Sequence, residues 1–314
     1  MKVLSCFDGM SCGQIAFERA GIPVEKYYAS EIDKYAIQVT QANYPDTVQL
    51  GSITEWRNWN IENPDIIIGG SPCQGFSFAG KQLNFEDEQS KLFFVFADIL
   101  KHYKPKYFLL ENVIMKAEYN DVISGILGEI YPECVHQTEL FRTGRLEPIE
   151  INSALVSAQN RWRLYWTNIP GVTQPKDKGI LLKDIIENYD GKSEIISATI
   201  GNSKKFYGEN NSGKSYCLIK NHCFGIKLND EYRLFSPIEC ERLQTVPDNY
   251  TNHVSNSQRY KMLGNGWTVD VIAHIFSFIP ESTVFIDHTV PRAYNQWLCD
   301  RALNEHITSK EWTR

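Results

Sequence analysis

Several features that would settle the class of this chain at once are missing from it. No apolar run approaches the roughly 18 residues of a membrane helix. The first residues, Met1-Lys2-Val3-Leu4-Ser5, carry one charge and lead into a short strand-like run, with no leader-type apolar stretch and small-residue cleavage site behind them. The eight cysteines, at 6, 12, 73, 134, 217, 223, 240 and 299, contain no C-x-x-C pair. Neither a disulfide scaffold nor a four-cysteine zinc site is therefore expected, and the chain reads as reduced and cytoplasmic. Cys217, His222 and Cys223 lie near one another but lack a fourth ligand at zinc spacing, so no metal is expected. His102, His136 and His274 read as structural or surface residues. There is no internal repeat and no low-complexity tract. What the chain does have is 16 Phe, 16 Tyr and 7 Trp in 314 residues, which excludes disorder and supplies a large core.

An excess of positive charge is missing too. The net charge is −6, which excludes a generic nucleic-acid coat. The distribution is uneven, however: residues 192–233 sum to +3 and the rest of the chain to −9. An acidic protein can still carry one basic contact face.

The first 115 residues alternate strand and helix signals. Strands are expected at Val3–Phe7, Tyr27–Ser30, Ile66–Ile68 and Tyr107–Leu110, and helices at Gly13–Ala20, Lys34–Asn43 and Leu92–Lys101. That alternation predicts an α/β fold with a mainly parallel sheet, whose chemistry collects at the C-terminal ends of the strands. After about residue 170 the pattern weakens into Gly-, Asn-, Ser- and Lys-rich short strands. It resumes with a helix over Ser236–Gln244, Ser236 as N-cap and Pro237 at its first position, and another over Val269–Phe278. One more helix is expected around Tyr294–His306.

Five segments carry chemistry. Phe7-Asp8-Gly9-Met10-Ser11-Cys12-Gly13 follows the first strand and opens a helix; it is either a ligand cradle or a plain tight turn. Glu31 closes the second strand 22 residues beyond Gly9, the usual distance for a carboxylate that meets ribose hydroxyls, or else is an exposed helix-start acid. Cys73, in Gly69-Gly70-Ser71-Pro72-Cys73-Gln74-Gly75, sits where a stiff turn exposes a nucleophile, although an isolated cysteine is more often structural. Glu111, ending an apolar strand, is poorly solvated, which suits a proton donor; the bland reading is a surface Glu at a strand exit. In Gln159-Asn160-Arg161-Trp162-Arg163 the two arginines are expected to project to opposite sides of a strand, one supporting the site and the other a phosphate or the acid loop.

The order and spacing of these segments resemble the cytosine-C5 DNA methyltransferase family. Pro72-Cys73-Gln74 is similar to its catalytic loop, Glu111-Asn112-Val113 to its acid motif and Gln159-x-Arg161-x-Arg163 to its arginine motif. Lys261-Met262-Leu263-Gly264-Asn265-Gly266 is similar to its final motif, whose helix packs beside the first cofactor loop. The resemblance covers about residues 1–168 and 234–279. The first loop departs from the common Phe-Ala-Gly-x-Gly-Gly form and, with Ser257–Ile275, is similar to the de novo animal class; the compactness is closer to bacterial or phage enzymes. Ser52 stands where the family's third motif usually carries Asp.

The resemblance implies a Rossmann-like S-adenosylmethionine-dependent methyltransferase domain of residues 1–170 and 245–314, with a small target-recognition domain over 171–244. It implies catalytic roles for Cys73, Glu111, Arg161 and Arg163. The cofactor S-adenosyl-L-methionine would be held by Phe7, Gly9, Met10, Ser11, Gly13, Glu31, Ile32, Ser52, Ile53, Pro72, Leu92, Asn265 and Trp267. Double-stranded DNA would meet Gln74, Ser77, Lys204, Lys205, Lys214 and Lys220, with the target base flipped out of the duplex. The expected activity is methyl transfer to cytosine C5 through a Cys73–C6 adduct, by a monomer, in DNA methylation of the restriction-modification kind. Two alternatives stay open: a transfer-RNA cytosine-C5 methyltransferase, whose Cys-Phe-Thr signature neither Cys217-Leu218 nor Cys223-Phe224-Gly225 matches, and an inactive DNA-binding relative.

Overall fold

The computed structural model describes residues 1–72, 88–135, 144–200, 206–210, 212–221, 223–228 and 231–280, with the backbone alone at 88–90, 200 and 206–210. The expected helix near 294–306 lies outside them. Met1–Ile279 forms one compact unit.

Runs that are apolar at successive positions belong to strands covered on both faces. These become β1 (Lys2–Cys6), β2 (Lys26–Ser30), β4 (Ile66–Gly69) and β5 (Tyr107–Val113), with the short, solvent-facing edge strand β3 (Val48–Gln49) between β2 and β4 along the chain, and they are joined by helices α1 (Cys12–Arg19), α2 (Lys34–Asn43) and α3 (Glu88–Tyr103). Helix α4 (Ala117–Ile130) and the strands β6 (Ile149–Asn152) and β7 (Trp162–Thr167) follow. The seven strands form one sheet in the order β3-β2-β1-β4-β5-β7-β6. β1 to β5 pair in parallel, and β7 runs antiparallel to both β5 and β6. Ile66, Ile67, Ile68, Phe108, Leu109 and Leu110 have no exposed surface, as their unbroken apolar runs require.

A second, antiparallel sheet in the order β11-β10-β8-β9 is built from β8 (Ile195–Ile200), β9 (Phe206–Asn210), β10 (Phe224–Leu228) and β11 (Glu231–Leu234). It lies within the stretch whose sequence pattern is irregular. Helix α5 (Pro237–Leu243) then begins as expected: Ser236 Oγ accepts from Glu239 N at 3.1 Å, and Glu239 returns the bond to Ser236 N at 2.8 Å. Helices α6 (Asn256–Asn265) and α7 (Val269–Phe276) bring the end of this unit back to its beginning. Phe276 of α7 stacks on Phe17 of α1 with ring centroids 4.2 Å apart. Tyr250 donates to Met10 O at 2.7 Å, and Lys261 pairs with Asp33 at 2.7 Å.

Candidate active site

Strand order in the parallel sheet reverses between β1 and β4, so the crevice beyond their C-terminal ends is where an α/β sheet binds ligands. Register aligns Cys6 of β1 with Gly69 of β4, and Gly69 with Leu110 of β5. The small-residue loop after β1, the Gly69–Pro72 turn after β4 and Glu111 therefore share one edge. Helix α2 starts nearby, at the end of β2.

The first loop is held in an unusual backbone. Phe7, Gly9 and Ser11 all have left-handed φ, at 59°, 60° and 60°, a region that residues with a Cβ rarely enter unless their surroundings enforce it. Those surroundings are visible. The amide of Gly9 donates to Glu31 Oε2 at 2.8 Å, while Glu31 Oε1 accepts from the amides of Ile32 (2.7 Å) and Asp33 (2.8 Å). Asp8 accepts from Tyr27 Oη at 2.8 Å and from the Ser11 hydroxyl. Burial pushes the Asp8 carboxyl up to about 6, against the hydrogen bonds from Ser11, Ser5 and Tyr27 that oppose it. Outward from this floor, a Cβ on Gly9 would meet nothing within 4 Å, and Ile32 is 77% exposed beside Glu31. The arrangement offers a backbone cradle, a fixed carboxylate and an uncovered apolar face.

The acid is built differently. Val113 pairs with Arg163 across β5 and β7, so Glu111, two residues earlier on the same face, is a diagonal neighbour of Arg163. Arg163 Nε lies 2.9 Å from Glu111 Oε1, both side chains being nearly buried, and Trp267 Nε1 donates to Glu111 Oε2 at 3.1 Å. Asn112 donates to Ser71 Oγ at 3.2 Å, tying the acid strand to the turn that leads to position 73.

The arginines are not on opposite sides. Arg161 Nη1 and Arg163 Nη2 both reach Cys217 Sγ, at 3.3 and 3.8 Å. Residues two apart in extended chain share a face, which corrects the sequence expectation. Arg161 is itself buried, and donates to Leu218 O (2.9 Å), Gly264 O (3.3 Å) and Gly266 O (2.8 Å), so it braces the backbone around Asn265 rather than facing the crevice. Burial raises the Cys217 thiol, but the two guanidiniums outweigh that and hold it below its usual range.

The other sequence candidates divide. Glu31, Ile32, Gly9, Ser52, Pro72, Leu92 and Asn265 retain exposed surface. Phe7 packs partly buried against the main core. Met10, Ser11 and Ile53 turn inward, and Gly13 is a packing glycine whose Cβ would lie 2.5 Å from Ile68 Cδ1; only their backbone could meet a ligand. Ser52 caps the turn at Ile53–Asn58, accepting from Thr54 N at 3.3 Å. Lys214 Nζ donates to Ala154 O, Ser157 O and Ile180 O at 2.7, 3.0 and 2.5 Å, which makes it a strut rather than an outward hand for phosphate. Lys220 is exposed. Cys73, Gln74, Ser77, Lys204 and Lys205 lie outside the described residues. Sequence reasoning missed Asp8, whose signal was an acid directly after an apolar strand, and missed that Trp267 meets Glu111.

A family model described as C-5 cytosine-specific DNA methylase matches residues 1–130 and 133–281. The chain belongs to that family. Similar proteins include the type II methyltransferase M.NlaX of Neisseria lactamica, 30% identical over 87% of this chain and 94% of its own length. M.HhaI of Haemophilus parahaemolyticus is 27% identical over 91% and 96%, and M1.ScrFI of Lactococcus lactis subsp. cremoris 29% over 86% and 76%. Among solved structures, the Dnmt2 methyltransferase of S. pombe superposes with a TM-score of 0.64 at 16% identity, covering 91% of this chain and all of its own. A DNA modification methyltransferase encoded within an E. coli prophage gives 0.61 at 18%, covering 90% and 99%. The chain is an enzyme of the DNA cytosine-C5 methyltransferase class with the α/β fold expected. Among the described residues no helix is long and apolar enough to cross a membrane.

Proposed function

We propose that the chain methylates C5 of a cytosine flipped out of double-stranded DNA, with S-adenosylmethionine as donor and Cys73 as nucleophile. The observation that carries this reading is the Glu111 carboxylate, fixed by Arg163 on one oxygen and Trp267 on the other, at the same strand edge as Gly69–Pro72, the residues that precede Cys73 in the sequence. The crevice fits the donor: Gly9 leaves room for close approach, Glu31 holds lone pairs toward hydroxyls, and Ile32 offers an apolar face to a ring. Phe7, Ser52, Pro72, Leu92 and Asn265, which all keep some exposed surface, are the further residues proposed to hold the donor. When bound, S-adenosylmethionine supplies an electrophilic methyl group.

The protein's own residues make cytosine reactive. The Cys73 thiolate adds to C6 while Glu111 gives a proton, or a strong hydrogen bond, to N3. Electron density then builds at C5, the atom that accepts the methyl group. Loss of the C5 proton to water, return of the N3 proton to Glu111 and elimination of the Cys73 thiolate restore the ring and the acid. Arg163 keeps Glu111 aimed, and Arg161 serves as a positioning residue. The segment 171–244, with its second sheet and local positive charge, is the region proposed to recognise the target sequence.

A duplex containing 5-fluorocytosine tests the reading, because the missing C5 proton traps the Cys73 adduct. A covalent complex with DNA, absent in Cys73→Ala and absent with transfer RNA, is the expected result. Trapping by transfer RNA alone would move the substrate to RNA, and an adduct that survives Cys73→Ala would remove the nucleophile from its role.

A further inference from the structure

We infer that Trp267, which resemblance alone assigns to the cofactor, is a positioning residue for the acid: its indole N–H fixes the Glu111 carboxylate from the side opposite Arg163. The inference deepens the proposed function and rests on it. Three observations meet at this point. Trp267 Nε1 donates to Glu111 Oε2 at 3.1 Å while Arg163 Nε holds Oε1 at 2.9 Å, so each oxygen has its own donor and the carboxylate cannot rotate without losing one. A Cβ built at Gly70 would lie 2.9 Å from Trp267 Nε1 and 3.1 Å from Glu111 Oε2. The indole edge, the acid and the backbone of Gly70, three residues before Cys73 in the sequence, therefore pack together, and the missing side chain of Gly70 is what permits it.

The third observation is how firmly Trp267 is itself held. Arg161 donates to the carbonyls of Gly264 and Gly266, and Gln244 Nε2 donates to Leu263 O at 2.6 Å and Gly266 O at 3.1 Å. Thr268 Oγ1 donates to Gln244 Oε1 at 2.8 Å, and Ser153 Oγ donates to Thr268 Oγ1 at 2.8 Å. The residues on both sides of Trp267 are thus anchored by buried polar groups. The two arginines act on the acid from different distances. Arg163 touches it, and Arg161 fixes the turn that brings the indole to it.

Single-turnover methylation of a mixed-sequence duplex library, with calorimetric S-adenosylmethionine affinity measured alongside, tests this. Removing one hydrogen bond to a charged group is expected to slow turnover roughly 10- to 100-fold in Trp267→Phe, with cofactor affinity changed less than about twofold. In a Glu111→Ala background, where nothing remains to be positioned, the same substitution should cost less than about twofold, the non-additivity of residues acting through one another. Placing 3-benzothienylalanine at 267 keeps the bicyclic shape without the N–H and guards against a folding failure of the Phe variant; it should show the same loss. Equal losses in both backgrounds, a loss confined to cofactor affinity, or a benzothienyl enzyme as fast as its parent would each overturn the inference. If Glu111→Ala alone leaves the rate intact, Glu111 is not the acid, and the parent reading and this inference fall together; a costly Glu111→Ala with additive effects removes only the role of Trp267.

Discussion

Glu31 and Glu111 both stand at the C-terminal edge of one sheet, yet they are held in opposite ways. Glu31 is bonded to backbone amides, those of its two successors and of Gly9. Glu111 is bonded to side chains, Arg163 from the antiparallel strand β7 and Trp267, 156 positions away. A carboxylate clasped by main chain is fixed by local fold and keeps spare lone pairs for a ligand. A carboxylate clasped by side chains is aimed by the assembly of distant segments, and its position responds to each of them. The first arrangement suits a binding group and the second a group that must move a proton along one direction.

Substitutions should separate the two. Glu111→Gln keeps size and acceptor but cannot give the proton, so turnover is expected to fall about 100-fold or more, with S-adenosylmethionine affinity unchanged by calorimetry. A parallel loss of cofactor affinity would dissolve the contrast. Glu31→Ala removes a charged acceptor from a binding group, so S-adenosylmethionine affinity should weaken roughly 10- to 100-fold. DNA affinity by fluorescence anisotropy should stay level. Unchanged cofactor affinity in that variant would take Glu31 out of the cradle.

The same contrast explains what could be read from the sequence. The strands at Tyr27–Ser30 and Ile66–Ile68 and the helix at Lys34–Asn43 were legible because apolar periodicity is a local signal, and α2 spans those very residues. The Ser236 cap with Pro237 was legible for the same reason. Glu31 was legible because its partner Gly9 lies within one strand–helix–strand unit. The clamp on Glu111 was not, since nothing local in Glu111-Asn112-Val113 names a tryptophan in the last motif. The second sheet was barely legible: its strands are short and antiparallel, and buried positions such as Ile196, Ala198 and Ile226 are spaced among polar residues. Lys214 shows the limit from the other side, because a lysine in a basic stretch reads as a phosphate contact until its three carbonyl partners are seen.

Beneath the Glu31 cradle, Asp8 adds a pH signature of its own. Its carboxyl is raised to about 6 by burial, so the folded state holds its proton more tightly than the unfolded chain. The stability this contributes is complete below about pH 4, near the unfolded carboxyl's own value, and is lost as pH rises through about 6. Asp8→Asn cannot titrate. The stability difference between parent and variant should therefore shift in the variant's favour by on the order of 2 kcal/mol between pH 4 and 7, several degrees in melting temperature. A difference that stays constant over that window would mean Asp8 titrates alike in both states.

The smallest effect expected concerns two of the described lysines of the basic stretch. Lys214 and Lys220 are six residues apart and alike in chemistry, yet one is turned into the fold and the other is exposed. Lys214→Met strips a shared donor from three carbonyls, so it should lower the melting temperature while leaving the salt dependence of DNA binding alone. Lys220→Met should do the reverse: an unchanged melting temperature and a log–log salt slope reduced by about 0.9, the share of one phosphate contact. Lys204→Ala with Lys205→Ala should reduce it by about twice that, equally for all sequences, since phosphate contacts place the protein and do not choose the site. The chain outside 192–233 carries −9, so attraction to a polyanion has to be local, and a slope unmoved by Lys204, Lys205 and Lys220 together would shift the DNA-facing surface away from this stretch. A slope that moved with Lys214 instead would mean that its carbonyl contacts open when DNA arrives, and the strut would then be a latch.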